Sequence, residues 1–268
     1  MPTVPVDGSE LHVERRGDGE PLLLIQGMGA NSAHWGEPFL RELEHDFEIV
    51  LYDHRGIGRS GPCNGDITTA DLAADALALL DALGIERAHV LGFSMGGMVA
   101  QELALSAPQR VATLVLVGTT AGGTQSKPTS GDVVQALTAA VLSGDRERVL
   151  RTGFGLVVSA PYADHAEHYA AFAAVAREHP ASIQMLMEQQ AAIVAHDSYG
   201  RLRGLAPPTL VIHGSEDRML SPINGDLLAS LIPGARLEQL AGAGHLVYWE
   251  RPERTAQLVR EHAAAHAT

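Results

Sequence analysis

The feature that most constrains this chain is a series of short, uninterrupted apolar runs that end at glycine and are separated by stretches with helical spacing. Leu22-Leu23-Leu24-Ile25 runs into Gln26-Gly27-Met28-Gly29. Glu48-Ile49-Val50-Leu51-Tyr52 runs into Asp53-His54-Arg55-Gly56, and Ala88-His89-Val90-Leu91-Gly92 into Phe93-Ser94-Met95-Gly96. Thr113-Leu114-Val115-Leu116-Val117 ends at Gly118, and Thr209-Leu210-Val211-Ile212 at His213-Gly214. A strand with one wet face alternates apolar and polar residues, whereas a strand covered on both faces is apolar throughout, the habit of parallel sheets. Helical patterns over 71–83, 96–107, 222–231 and 252–265 accompany these runs; Gly84 stops the first and Pro108 the second. Alternating strand and helix predicts an α/β fold, an open parallel sheet with helices on both faces. Residues 3–7 and 10–15, on either side of Gly8-Ser9, predict an N-terminal hairpin.

One stretch breaks the alternation. From 121 to 205 no buried-strand run occurs, and helical patterns lie near 132–142, 145–154, 164–178 and 181–195. The chain therefore divides into a core, 1–120 with 206–268, and a helical insertion, 121–205. The net charge of −13 is unevenly spread: the insertion holds seven basic and eight acidic residues, the rest twelve and twenty-four. An acidic chain with no basic face is not a nucleic-acid binder and has little attraction to anionic membranes. Cys63 is the one cysteine, so no intrachain disulfide forms. No apolar run approaches the ~20 residues that span a bilayer. The opening residues lack a basic segment followed by an apolar one, and a cytoplasmic location is expected. Monomer and homodimer both stay open.

Gly92-Phe93-Ser94-Met95-Gly96 fits G-x-S-x-G between a strand and a helix. Two glycines permit a sharp turn that lifts the serine hydroxyl above the sheet, with a helix N-terminus behind it. A serine hydroxyl attacks only when a base takes its proton, so a histidine and an acid are needed. Asp217 follows the run ending at Ile212, and His245 lies in a turn after 237–240. Glu216 is the rival acid, one residue nearer the strand. The order Ser94, Asp217, His245 is that of one hydrolase class, and all three sit where open α/β sheets bind ligands. Backbone N–H groups of Met95 and Met28 are the expected oxyanion donors.

With these residues the chain resembles the α/β-hydrolase fold family, of the esterase, lactonase and perhydrolase type. Gly27-Met28-Gly29, the segment from Asp53 through Gly56 and Gly58 to Ser60, Gly92 to Gly97, Asp217 and Gly244-His245 carry the resemblance. It implies an eight-stranded core sheet, a helical cap after the sixth strand, and no cofactor or metal. Many relatives have histidine where this chain has Gln26; glutamine can anchor the loop by hydrogen bonds too. The expected reaction is hydrolysis of a carboxylic ester or lactone of a largely apolar small molecule. Perhydrolase or haloperoxidase chemistry and C–C bond hydrolysis use the same three residues, and a ligand receptor on the same scaffold is the alternative outside enzymes.

Other motifs have plainer readings. Gly56-Ile57-Gly58-Arg59-Ser60-Gly61 fits a dinucleotide fingerprint, but Pro62, Asn64 and Gly65 continue a loop where that motif needs a helix. Asp53 and Arg55 are then structural. His165 and His168 lack a third metal ligand and read as a solvated helix face. His262 and His266, at i and i+4, could hold a metal with no function attached. Cys63 is expected to be inert. Trp35 and Phe93, with His34 nearby, are candidate pocket residues, and Met185 and Met187 are candidates for lining an acyl pocket or for simple packing.

Overall fold

A computed structural model describes residues 3–63 and 65–266; Asn64, named above, lies outside them, as do the first two and last two residues. The N-terminal hairpin is β1 (Thr3–Val6) and β2 (Ser9–Arg16), followed by β3 (Glu20–Ile25), α1 (Glu37–Glu44), β4 (Phe47–Tyr52), α2 (Thr69–Ala82), β5 (Ala88–Phe93), α3 (Met95–Ser106) and β6 (Val111–Val117). Then come α4 (Gly131–Leu142), α5 (Arg146–Val157), α6 (Ala160–Ala163), α7 (Ala166–Arg177) and α8 (Ile183–Ala195). The chain closes with β7 (Thr209–Gly214), α9 (Ile223–Leu231), β8 (Arg236–Leu240), α10 (Val247–Glu250) and α11 (Pro252–Ala264).

The eight strands form one sheet in the order β1-β2-β4-β3-β5-β6-β7-β8. β2 runs antiparallel to both its neighbours, and every other pairing is parallel. The unbroken apolar runs are explained by what covers them. Leu23, Val50, Val90 and Leu116 pack on one face with α2, α3 and α9; Leu22, Leu24, Leu91, Val115 and Ile212 pack on the other with α1 and α11. Successive side chains of a strand point to opposite faces, so only a strand with two dry faces can be apolar at every position. β8 is one of the two edge strands, and four of its five residues are not buried.

Helix starts are set by caps that the apolar pattern does not show. Thr68 and Asp71 form a reciprocal box, with Asp71 N–H donating to Thr68 Oγ1 at 3.1 Å and Thr68 N–H to Asp71 Oδ2 at 2.8 Å. α2 therefore starts two residues before the predicted 71. Between β6 and β7 there are five helices, where the spacing predicts four. Ser159 turns the chain after α5, and Pro161 in the first turn starts the extra α6.

The two ends of this insertion are tied together and to α3. Gly123 N–H donates to His196 C=O at 3.1 Å and Ser198 N–H to Ala121 C=O at 2.9 Å. Ser198 Oγ donates to Gln101 Oε1 at 2.6 Å, and Arg201 grips Glu102 through both guanidinium nitrogens. His196 is buried at this junction, its Nδ1 3.0 Å from Thr69 Oγ1. Burial lowers its pKa to about 4 against an opposing pull from Glu102. An unfolded histidine titrates near ~6.5. As the pH falls from 6.5 towards 4, the unfolded chain takes up a proton that the folded chain refuses, and this residue lowers stability by at most about 1.4 kcal/mol per pH unit. Urea unfolding at pH 7, 6 and 5 should show this loss, and His196→Gln should make the profile shallower by about that slope; an unchanged slope would count against it.

Candidate active site

The site starts from a strained turn. Ser94 links β5 to α3 with φ 54° and ψ −119°. Positive φ is costly for a residue with a Cβ, of order 1–3 kcal/mol, and persists only where its surroundings enforce it. Here they do. A Cβ on Gly92 would meet Ala100 Cβ at 2.7 Å, and one on Gly96 would run into the carbonyl oxygen of Ile25. Only glycine at both positions lets α3 lie this close to β5 and β3. The turn is further held by Ser94 N–H donating to Val117 C=O at 2.9 Å and Thr119 Oγ1 donating to Ser94 C=O at 2.7 Å.

The loop after β3 lies against this turn. Gly27 touches it: a Cβ there would be 3.2 Å from Ser94 Cβ and 3.3 Å from the Phe93 ring. Gln26 anchors the loop, its Oε1 accepting from Gly27 N–H at 2.8 Å and its C=O lying 3.0 Å from His54 Nε2. Gly29 N–H donates to Gln189 Oε1 on α8 at 2.7 Å, and Ala30 N–H to Gly27 C=O. Among the described residues Met28 N–H makes no such bond, and Met95 N–H belongs to the first turn of α3, where backbone donors have no helical partner.

Asp217 and His245 come together, with Oδ2 2.7 Å from Nδ1, both side chains buried. Glu216 is exposed and stands apart from this pair. Asp217 Oδ1 accepts from the N–H groups of Met219 and Leu220, each at 2.9 Å. Burial alone would raise the pKa of Asp217. The charge of His245 and hydrogen bonds from His213 and His245 outweigh it and hold the carboxyl well below its usual range. A carboxylate can only accept, so His245 carries its proton on Nδ1 and presents Nε2 as a base. The His245 ring packs at a tilt against Phe93, the neighbour of Ser94, with ring centres 4.7 Å apart.

Three contributors were not picked out from the sequence. His213 Nε2 is 3.0 Å from Asp217 Oδ2 and 2.9 Å from Leu220 C=O, so Asp217 faces two imidazoles. The i, i+4 spacing of His213 and Asp217 was the available signal. Glu250 is buried and accepts from Gly244 N–H at 2.7 Å, from Ser159 N–H at 3.0 Å and from Ser159 Oγ. It fastens the His245 turn to the insertion; a charged residue in the apolar run Leu246-Val247-Tyr248-Trp249 was its signal. The third, Gln189, sits between Met185 and Ala192 on the buried face of α8.

Several expected pocket residues lie elsewhere. Met187 is 69% exposed on the outer side of α8, because residues two apart cannot share a helix face with Met185. Met185 is buried against Gly56 and has a packing role. Trp35 is fully buried, packed at a tilt against Phe39 and Tyr248 and edge-on to Phe93. It lines a groove of about 600 Å³ beside α1 and α7 that Ser94 does not border. Phe93 is 5% exposed and acts as a wall shared by Gly27 and His245. His34 Nδ1 bonds Asn31 and its C=O accepts from Trp249 Nε1.

The remaining motifs resolve as packing. Asp53 accepts from Ser32 N–H at 2.6 Å and Arg59 N–H at 2.9 Å, closing the Gly56–Gly61 turn on itself, and Arg55 pairs with Asp75 through two nitrogens. His168 stacks on Tyr162 at 3.7 Å, and His165 is exposed. His262 is not a surface ligand: it is buried with Nε2 on Pro208 C=O at 3.1 Å. Burial raises the pKa of the half-buried Cys63. Among the described residues no three metal-ligating side chains gather, and no helix is long and apolar enough to cross a membrane.

Known proteins share this arrangement of elements. A protein from Azorhizobium caulinodans named a putative carbamate hydrolase RutD is 31% identical over 245 residues, 91% of each chain. A 2-hydroxy-6-oxononadienedioate/2-hydroxy-6-oxononatrienedioate hydrolase from Paraburkholderia xenovorans is 31% identical over 93% of this chain and 89% of its own. The crystal structure of the enol-lactonase from Burkholderia xenovorans superposes with a TM-score of 0.85 at 27% identity, covering 98% of this chain and all of that one. The alpha/beta hydrolase fold family matches residues 20–252. The chain belongs to the α/β-hydrolase fold family and is a hydrolase.

Proposed function

We propose that this hydrolase cleaves a carboxylic ester or lactone of a small, largely apolar molecule through an acyl-enzyme formed on Ser94. The observation that carries the reading is the 2.7 Å bond between Asp217 and His245 Nδ1, which leaves Nε2 free to act as a base. Ser94 Oγ attacks the carbonyl carbon as His245 Nε2 takes its proton. The tetrahedral oxyanion is held by the N–H groups of Met28 and Met95. His245 returns the proton to the leaving alkoxide, and water then repeats the sequence on the acyl-enzyme to release the acid. Asp217 keeps the imidazole in the productive tautomer. Residues 121–205 form the cap, and their near-balanced charge suits a neutral substrate. Likeness to an enol-lactonase supports the reading. Likeness to the 2-hydroxy-6-oxononadienedioate/2-hydroxy-6-oxononatrienedioate hydrolase favours C–C bond hydrolysis as a second one, and a panel of diketones against plain esters separates the two.

Ser94→Ala should abolish turnover of p-nitrophenyl butyrate, and a phosphonate probe should add its mass at Ser94 and nowhere else. Turnover retained in that variant would remove Ser94 from the chemistry. Asp217→Asn should lower kcat by roughly 10⁴ with the fold intact, since an amide favours the wrong tautomer of His245. A loss below tenfold would point to another acid.

A further inference from the structure

We infer that Gln189, carried by α8 over the loop after β3, is a specificity-determining residue that selects substrates with a second carbonyl oxygen in the acyl chain. The inference rests on the reading of Ser94 as nucleophile. Its basis is an amide of which only one end is satisfied. Gly29 N–H is a donor, so the group it meets at 2.7 Å must be the oxygen of Gln189, and the amide nitrogen is turned the other way. That nitrogen carries two N–H donors, is shielded from solvent and has no hydrogen-bond partner among the described residues, while Gln189 as a whole is 0% exposed. A buried donor left unpaired is costly, and nearly all such groups find an acceptor.

No acceptor is supplied by the face that carries it. Met185 and Ala192, one turn to either side, are buried and apolar, and Leu186 Cδ2 lies against Gly29. Below is the loop in which a Cβ on Gly27 would come within 3.2 Å of Ser94 Cβ. The amide therefore stands next to the proposed oxyanion donor Met28, with its nitrogen unspent. A ligand esterified at Ser94 that carries a keto or amide oxygen further along its acyl chain brings the missing acceptor. The group is neutral, so it suits a neutral oxygen; a plain hydrocarbon chain would leave it unpaired.

Binding reads this without chemistry. In Ser94→Ala, calorimetric Kd values are compared for the p-nitrophenyl esters of 3-oxo-, 4-oxo- and 5-oxohexanoic acid and of hexanoic acid. At least one keto ester should bind roughly two- to tenfold more tightly than the plain ester, the range of one net hydrogen bond. Gln189→Glu keeps an acceptor for Gly29 N–H and loses the donor; Gln189→Met loses both. In each, on the same background, the keto-to-plain ratio should fall to about one. If no keto ester is preferred, or if the preference survives both changes, the inference is overturned. Hydrolysis by Ser94→Ala itself would instead overturn the nucleophile assignment, and the two failures are told apart in the same samples.

Discussion

The close contact between α3 and the strands beneath it is the constraint on which the site depends. With glycine at 92 and 96, the helix settles onto the carbonyl of Ile25 and forces Ser94 into positive φ. The same contact constrains the loop after β3, because Ile25 is the last residue of that strand and Gly27 leaves no room for a side chain before Ser94 Cβ. One packing decision thus sets two parts of the proposed machinery, a hydroxyl and the donors facing it. The order β4-β3-β5-β6-β7 then carries Asp217, past the end of β7, and His245, past β8, to the same edge.

The insertion is part of this arrangement, held at three points. Its ends are tied to α3 through Gln101 and Glu102, the helix that starts at the serine turn. Its middle is fastened to the His245 turn by Glu250, reinforced by Leu246 N–H donating to Val157 C=O at 2.8 Å. Its last helix rests on Gly29 and Gly56. Two of these attachments reach segments that carry proposed catalytic groups, the loop after β3 and the His245 turn, and the third reaches the helix that follows Ser94.

Much of this was legible in the residues. Unbroken apolar runs announce strands with two dry faces, and Gly92 to Gly96 between such a run and a helix announces the turn. Asp217 was separable from Glu216 by its place one residue further past the strand, and the structure buries the first and exposes the second. What escaped depends on contacts across long stretches of chain. Gln189 meets Gly29 across 160 positions and Glu250 meets Ser159 across 91. Neither pairing leaves a periodic trace, and a lone polar residue on an apolar helix face looks like an ordinary interruption. Met185 and Met187 differ for a geometric reason: two apart on one helix, they face opposite ways, one buried and one exposed.

The charge pattern and the donors around Ser94 bear on the same question, what kind of carbonyl this site suits. Twenty-four of thirty-two acidic residues lie outside 121–205, and such a scaffold repels anions within about 10 Å at moderate salt. The donors proposed to serve Ser94 are backbone N–H groups and one carboxamide, none of them charged. Uncharged donors hold a ground-state carbonyl weakly and gain strength as charge develops on its oxygen, which lowers a barrier without tightening the hold on the starting ester. They also hold the carboxylate product less firmly than an arginine would, and the surrounding negative field favours its departure. A site built this way suits neutral substrates with anionic products, the charge change that ester and lactone hydrolysis produces.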